Sequence, residues 1–119
     1  MQHLPHNHGD FNNEAKLMEH VNHLEDFNRI SELFKLLDDS NRLRIFWLLC
    51  HCEECVINLS AMVNMTSPAV SHHLKLLKAA GLIVSRREGK EVYYKAADTE
   101  AVSLFHKTIE TLTDLTCPK

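Results

Sequence analysis

Hydrophobic residues recur at helical spacing along most of this chain, and the places where the spacing breaks mark its elements. From about Asn13, the residues Leu17, Val21, Leu24, Phe27, Ile30, Leu33, Phe34 and Leu37 form a long apolar pattern. Its register slips near Asn28, which predicts two helices or one with a bend. Asp39 or Ser40 is suited to cap the next helix, Asn41 to about Leu49, with Leu43, Phe46, Trp47 and Leu49 apolar. The run Cys50-His51-Cys52-Glu53-Glu54-Cys55 interrupts the periodicity, a short helix follows around Val56–Val63, and Asn64–Thr66 make a turn. Ser67 then reads as an N-cap with Pro68 at the first helical position, where its missing N–H costs nothing. Val70, Leu74 and Leu77 form the buried stripe of that helix, and Gly81 ends it with a left-handed cap. Leu82 to Lys95 reads as a strand, a basic turn centred on Gly89, and a second strand. Asp98 or Thr99 caps a last helix with Ala101, Val102, Phe105, Ile109, Leu112 and Leu115 on one side.

The helix after Thr66 is built to be read from outside. Ser67, Ser71, His72, Lys75 and Lys78 lie on or beside its open face, and all of them can donate hydrogen bonds to phosphates or base edges. Arg86, Arg87 and Lys90 follow on the hairpin. A recognition helix followed by a basic β-hairpin is a winged helix-turn-helix, a device for reading double-stranded DNA. Ser71, His72 and Lys75 are expected in the major groove, and Arg86, Arg87 and Lys90 on phosphates or the neighbouring minor groove. The plainer alternative is an ordinary amphipathic helix beside a solvent-exposed hairpin. One such unit reads only a few base pairs, so a two-fold dimer is expected, with the first and last helices supplying the interface.

Charge changes the picture only through its distribution. The 119 residues carry 13 Lys+Arg against 16 Asp+Glu, a net −3. Residues 67–95 hold six basic and two acidic side chains, a local +4 that leaves −7 on the rest. A basic face on an acidic body favours an oriented contact with phosphate. The polar first dozen residues, 1–12, read as a mobile arm bearing His3, His6 and His8, and residues 13–117 as one DNA-binding and dimerisation domain. No apolar run approaches membrane-spanning length and the start is no signal peptide, so no membrane partner and a cytoplasmic location are expected. No nucleophile–base pair or phosphate loop stands out, and Gly89 is a turn residue, so no enzyme is expected.

The cysteines are expected to be thiols. Cys52-x-x-Cys55 is a spacing at which two thiolates reach one tetrahedral ion, with Cys50 or His51 as a third ligand. Thiolate-rich sites prefer zinc, cadmium, lead, copper(I) or arsenite, and mixed thiolate and imidazole ligation favours zinc or cadmium. A redox or persulfide switch using Cys50, Cys55 and Cys117 is the alternative. A thioredoxin-type role for Cys52 and Cys55 needs a strand-to-helix context that the pattern does not predict.

From about Ile30 to Leu115 the chain resembles the ArsR/SmtB family of metal-sensing bacterial repressors. The resemblance is carried by Leu43-Arg44-Ile45, Ser67-Pro68-Ala69-Val70-Ser71-His72-His73-Leu74 with Leu77 and Gly81-Leu82, and Arg87-Glu88-Gly89-Lys90 leading to Tyr93-Tyr94. It implies a mainly α fold with a β-hairpin wing: four helices, two strands and a fifth helix, dimeric, seated on an operator until an effector binds. The family's thiolate motif, Glu-Leu-Cys-Val-Cys-Asp, corresponds here to Glu54-Cys55-Val56-Ile57-Asn58, where only the first cysteine is kept. By the same resemblance, ligands from a partner's N-terminal arm can complete that site, and His3, His6, His8, His20 and His23 offer imidazole from that direction. The family's last-helix zinc pattern, Asp-x-His-x10-His-x2-Glu/His, falls on Asp98, Glu100, Thr111 and Asp114 and lacks both histidines. His106 and Glu110, one helical turn apart, could chelate an ion but do not match that pattern.

Overall fold

The computed structural model describes residues 4–6 and 11–113 and separates into two compact units, Met1–Phe34 and Lys35–Lys119. Among the described residues it contains six helices and three strands, one helix and one strand more than the resemblance implies. No helix there is long and apolar enough to cross a membrane.

The additional helix comes from the long apolar pattern near the start. It divides into α1 (Phe11–Val21) and α2 (Leu24–Leu36), with the break at Asn22 and His23 rather than near Asn28. Asn22 causes it: its side-chain Nδ2 donates to the carbonyl of Met18 at 2.6 Å, while the His23 amide donates to the carbonyl of His20. An amide side chain that satisfies a terminal carbonyl competes with continuation of the helix. Within the chain α2 buries none of its side chains, and Leu17, Phe27 and Phe34 are exposed.

The second unit holds the core. α3 (Ser40–Leu49) begins at Asp39, whose carboxylate accepts from the amides of Asn41 and Arg42 at 2.9 and 3.0 Å. The Arg42 amide is the main cause holding this carboxyl below its usual range. Ile45, Phe46 and Leu49 pack inward with Leu59 and Val63 of α4 (Val56–Val63). The turn after α4 rests on Asn64, at φ 57° and ψ 53°, a left-handed conformation that asparagine tolerates better than most residues. α5 (Ser67–Ala79) presents Val70, His73, Leu74 and Leu77 to this core. Its N-cap is Thr66 rather than Ser67. Thr66 is the extended residue, and its hydroxyl accepts from the Ala69 amide, which places Ser67 and Pro68 in the first turn. Gly81, at φ +78°, ends the helix as expected.

The sheet has the order β1-β3-β2, built from β1 (Glu54–Cys55), β2 (Ile83–Glu88) and β3 (Glu91–Ala96), all antiparallel. β1 is unanticipated by the sequence: Glu54 pairs with Tyr94 and Cys55 with Tyr93, so the cysteine-rich junction adds a third strand to the hairpin. The last helix, α6 (Glu100–Thr113), is capped by Thr99, whose hydroxyl accepts from the Val102 amide.

One buried polar contact joins α3 to α5. His73 is 8% exposed, and its Nδ1 accepts from Nε of Arg42 at 3.2 Å, while another Arg42 nitrogen donates to the carbonyl of Leu36. Burial is the main cause lowering the His73 pKa from 6.5, against the opposing effect of Asp39. A lowered histidine pKa means the unfolded chain takes up the proton first, so this contribution to stability is complete above 6.5 and is lost as pH falls through the folded value. Melting between roughly pH 8 and roughly pH 5 should therefore fall less steeply for His73→Asn than for the native chain. Parallel curves would mean that His73 carries none of the acid sensitivity.

Candidate nucleic-acid interface and the adjoining cleft

With the apolar side of α5 sealed against the core, Ser71, His72, Lys75 and Lys78 stand exposed on the opposite side. Ser67 is also exposed, and its hydroxyl lies 3.1 Å from that of Ser60 across the turn between α4 and α5. Lys78 Nζ donates to the Ser85 hydroxyl at 2.7 Å and ties the end of the helix to the wing. The wing turns through Gly89 and Lys90, with positive φ at Gly89 only, the pattern of a II′ hairpin turn. Lys90 is exposed at this tip, and Arg87 Nε donates to the Gly89 carbonyl at 3.3 Å.

Arg86 is differently engaged. Its guanidinium donates to Glu53 at 2.6 and 2.8 Å and to Glu88 at 2.7 Å, and it lies 4.9 Å from the centre of the Tyr93 ring. The sheet register explains the arrangement, because Tyr93 pairs with Arg86 on one side and with Cys55 on the other. Glu53, just before β1, is thereby brought to the wing. The sequence predicts Arg86 on phosphate; in the structure it joins the wing to the cysteine-rich junction. The Arg86 hydrogen bonds hold the Glu53 carboxyl below its usual range, and Glu53 in turn raises the guanidinium pKa.

The junction lines a cleft of about 380 Å³ whose walls include Cys50, His51, Cys52 and His106. Cys52 and Cys55 are free thiols. Cys52 Sγ donates to the Leu48 carbonyl at 3.4 Å, and burial, helped by Glu54, raises its pKa. Cys55 is buried, the last residue of β1 and the N-cap of α4, so a short strand-to-helix context does exist here. The three thiols are not gathered within reach of one ion. Among the described residues, the group with that geometry is His51, His106 and Glu110, whose ligand atoms all lie within 4.8 Å of one another. The His51 and His106 Nε2 atoms are 3.0 Å apart; Glu110 Oε2 lies 3.6 Å from the first and its Oε1 3.3 Å from the second. Trp47 packs against the His51 ring at 4.5 Å between centres. His6 is exposed, whereas His3, His8 and Cys117 lie outside the described residues, as does Asp114 of the last-helix pattern. Thr111 of that pattern donates its hydroxyl to the Lys107 carbonyl.

Residues 39–85 match the model of the bacterial regulatory protein arsR family. The chain is 35% identical over 89 residues to a transcriptional repressor SmtB homolog of Synechocystis sp., covering 75% of this chain and 67% of that protein. The chain belongs to the ArsR family. It is also 37% identical over 76 residues to the cadmium resistance transcriptional regulatory protein CadC of Listeria innocua, covering 63% of this chain and 64% of the relative. The matches thus span about two thirds of these relatives' lengths. Among solved structures, the homodimeric winged helix-turn-helix DNA-binding domain from Mycobacterium bovis superposes with a TM-score of 0.65 at 27% identity, covering 89% of each chain. In this ArsR-family chain the family model runs from the cap of α3 into β2. His106 and Glu110 therefore lie beyond the matched region.

Two contacts are not predicted by the sequence, Glu53 with Arg86 and His51 with the pair on α6. The i, i+4 spacing of His106 and Glu110 is the single local signal for either. The ion pair is directly testable. The Glu53 carboxyl should titrate below 4.5 by NMR and return to the ordinary range in Arg86→Ala. An unchanged titration in the variant would show that Arg86 does not hold Glu53.

Proposed function

We propose that this ArsR-family chain is a DNA-binding transcriptional repressor that works as a homodimer and leaves its double-stranded operator when a metal ion binds. The observation that carries the reading is the polar face of α5, exposed beside a basic two-stranded wing and tied to it by Lys78 and Ser85. Ser71, His72 and Lys75 present to base edges in the major groove, with Ser67 and Lys78 at the flanks of the contact. Arg87 and Lys90 meet phosphates, and Arg86 does so only by giving up Glu53. Lysine and arginine contacts supply affinity that falls with salt, while each good pair to a base edge is worth about 1–3 kcal/mol of discrimination. A partner copy has apolar surface to cover: Phe27 and Phe34 on α2, and Leu104 and Leu112 on α6, are all at least half exposed. The relatives, a repressor and a cadmium resistance regulator by name, support the same role and not catalysis.

For the effector, a thiophilic ion, zinc or cadmium, suits the thiols. Cys50 and Cys52 share the cleft and Cys55 adjoins it in sequence, with His3, His6 or His8 as arm ligands. A bound ion would supply a fixed positive charge and a cross-link at the junction that β1 holds against the wing. A coupling of about 1–3 kcal/mol would change operator affinity 5–150-fold.

Fluorescence anisotropy of a labelled promoter duplex, with reduced protein and no oxygen, tests both parts. Binding should be tight without metal and should disappear as zinc or cadmium is added. Cys52→Ser with Cys55→Ser should bind DNA normally and ignore cadmium; release by cadmium at native concentrations would remove these thiols from sensing. Replacing Arg87 and Lys90 by Ala should weaken all duplexes alike and flatten the log–log salt dependence by about one for each phosphate no longer neutralised. Arg86→Ala should flatten it less. A sequence-selective loss in the Arg87/Lys90 variant would count against their phosphate role.

A further inference from the structure

We propose that His51, His106 and Glu110 form a zinc-binding site within a single chain, separate from the thiolate reading above and from the last-helix pattern of the family. The distances carry it. A tetrahedral zinc ion with nitrogen and oxygen ligands at about 2.0–2.1 Å requires its ligand atoms to stand about 3.3–3.4 Å apart. The two Nε2 atoms stand 3.0 Å apart, and the carboxylate spans them, with Oε1 3.3 Å from His106 Nε2 and Oε2 3.6 Å from His51 Nε2, all close to that edge. One ligand atom from each of the three residues lies within 4.8 Å of the other two, which a single ion can bridge.

A cation at the centre satisfies both ring nitrogens and the carboxylate together. The surroundings also favour a built site. The three side chains are between 16% and 24% exposed, so the ligands are shielded but reachable. Trp47 braces the His51 ring, and the helical i, i+4 spacing holds His106 and Glu110 on one face of α6. His51 and His106 line the cleft beside the junction, which admits the ion and leaves the fourth position to water.

The donor set selects the metal. Two imidazoles and a carboxylate suit zinc, and without a thiolate the site has little preference for cadmium. Zinc here would pin the end of α3 to α6, linking the segment before β1 to a helix that the family match does not include.

Cobalt(II), which takes tetrahedral zinc sites and is coloured, is the probe. It is titrated into reduced, chelator-treated full-length protein without DNA, so the outcome is independent of operator binding. In the variant with Cys50, Cys52 and Cys55 replaced by Ser, which removes the thiolate ligands proposed above, one ion should still bind per chain, with visible tetrahedral bands and no sulfur-to-cobalt charge-transfer absorption. Adding Glu110→Gln, nearly unchanged in shape, or His106→Ala should weaken that binding at least about tenfold, and in the native chain either change should remove the sulfur-free bands alone. Sulfur-free tetrahedral bands that survive both α6 substitutions, or their absence from the native chain, would overturn the site. Either result would leave the repressor reading standing, and a chain that binds no duplex would leave the zinc site standing.

Discussion

Two residues of backbone pairing, Glu54 and Cys55 against Tyr94 and Tyr93, determine where the chemistry of this molecule lies. Without β1 the cysteine-rich run would be a loop leaving the end of α3. With it, the run is fastened to β3, the middle strand of the sheet, Glu53 meets Arg86, and the junction forms a wall of the cleft that includes His106 of α6. A strand this short adds little stability by itself. Its effect is positional, since it joins the end of the cysteine-rich run to the strands of the wing.

Much of the fold is legible in the sequence because its signals are local. Asp39 ahead of an apolar run, Pro68 in a first turn, Gly81 after a last turn and Gly89 between alternating strands each declare their structure within a few residues. The near misses are also local: Thr66 and Ser67 are both good caps, and only the backbone decides between them. What cannot be read depends on contacts across the chain. β1 is too short to show alternation, and nothing near Arg86 indicates a partner 33 residues away. The α6 pair is visible as a turn of helix, but His51 lies 55 residues from His106 and reads with its cysteine neighbours. The exposed polar face of α5 is thus readable from the chain, while the grouping of His51 with His106 and Glu110 requires the fold.

The structure also separates what a single chain completes from what it leaves open. The core around Ile45, Phe46, Leu59, Leu74 and Leu77 is closed, and Arg42 with His73 satisfies the polar groups between α3 and α5. By contrast, α2 is thirteen residues long and buries none of them. Apolar side chains left in water forgo about 25 cal/mol for every Å² they could bury, and helices with one such face are normally paired. A homodimer of the proposed kind would supply that pairing while leaving α5 and the wing outward.

The division of labour on α5 has a consequence for how such a protein changes over generations. Val70, His73, Leu74 and Leu77 take up the helix's packing, whereas Ser71, His72 and Lys75 are exposed. Substitutions at exposed positions of this kind usually alter stability by no more than about 0.5 kcal/mol. On the proposed reading, a few changes on one face of one helix would retarget the chain to a new stretch of DNA, with its core inherited unaltered.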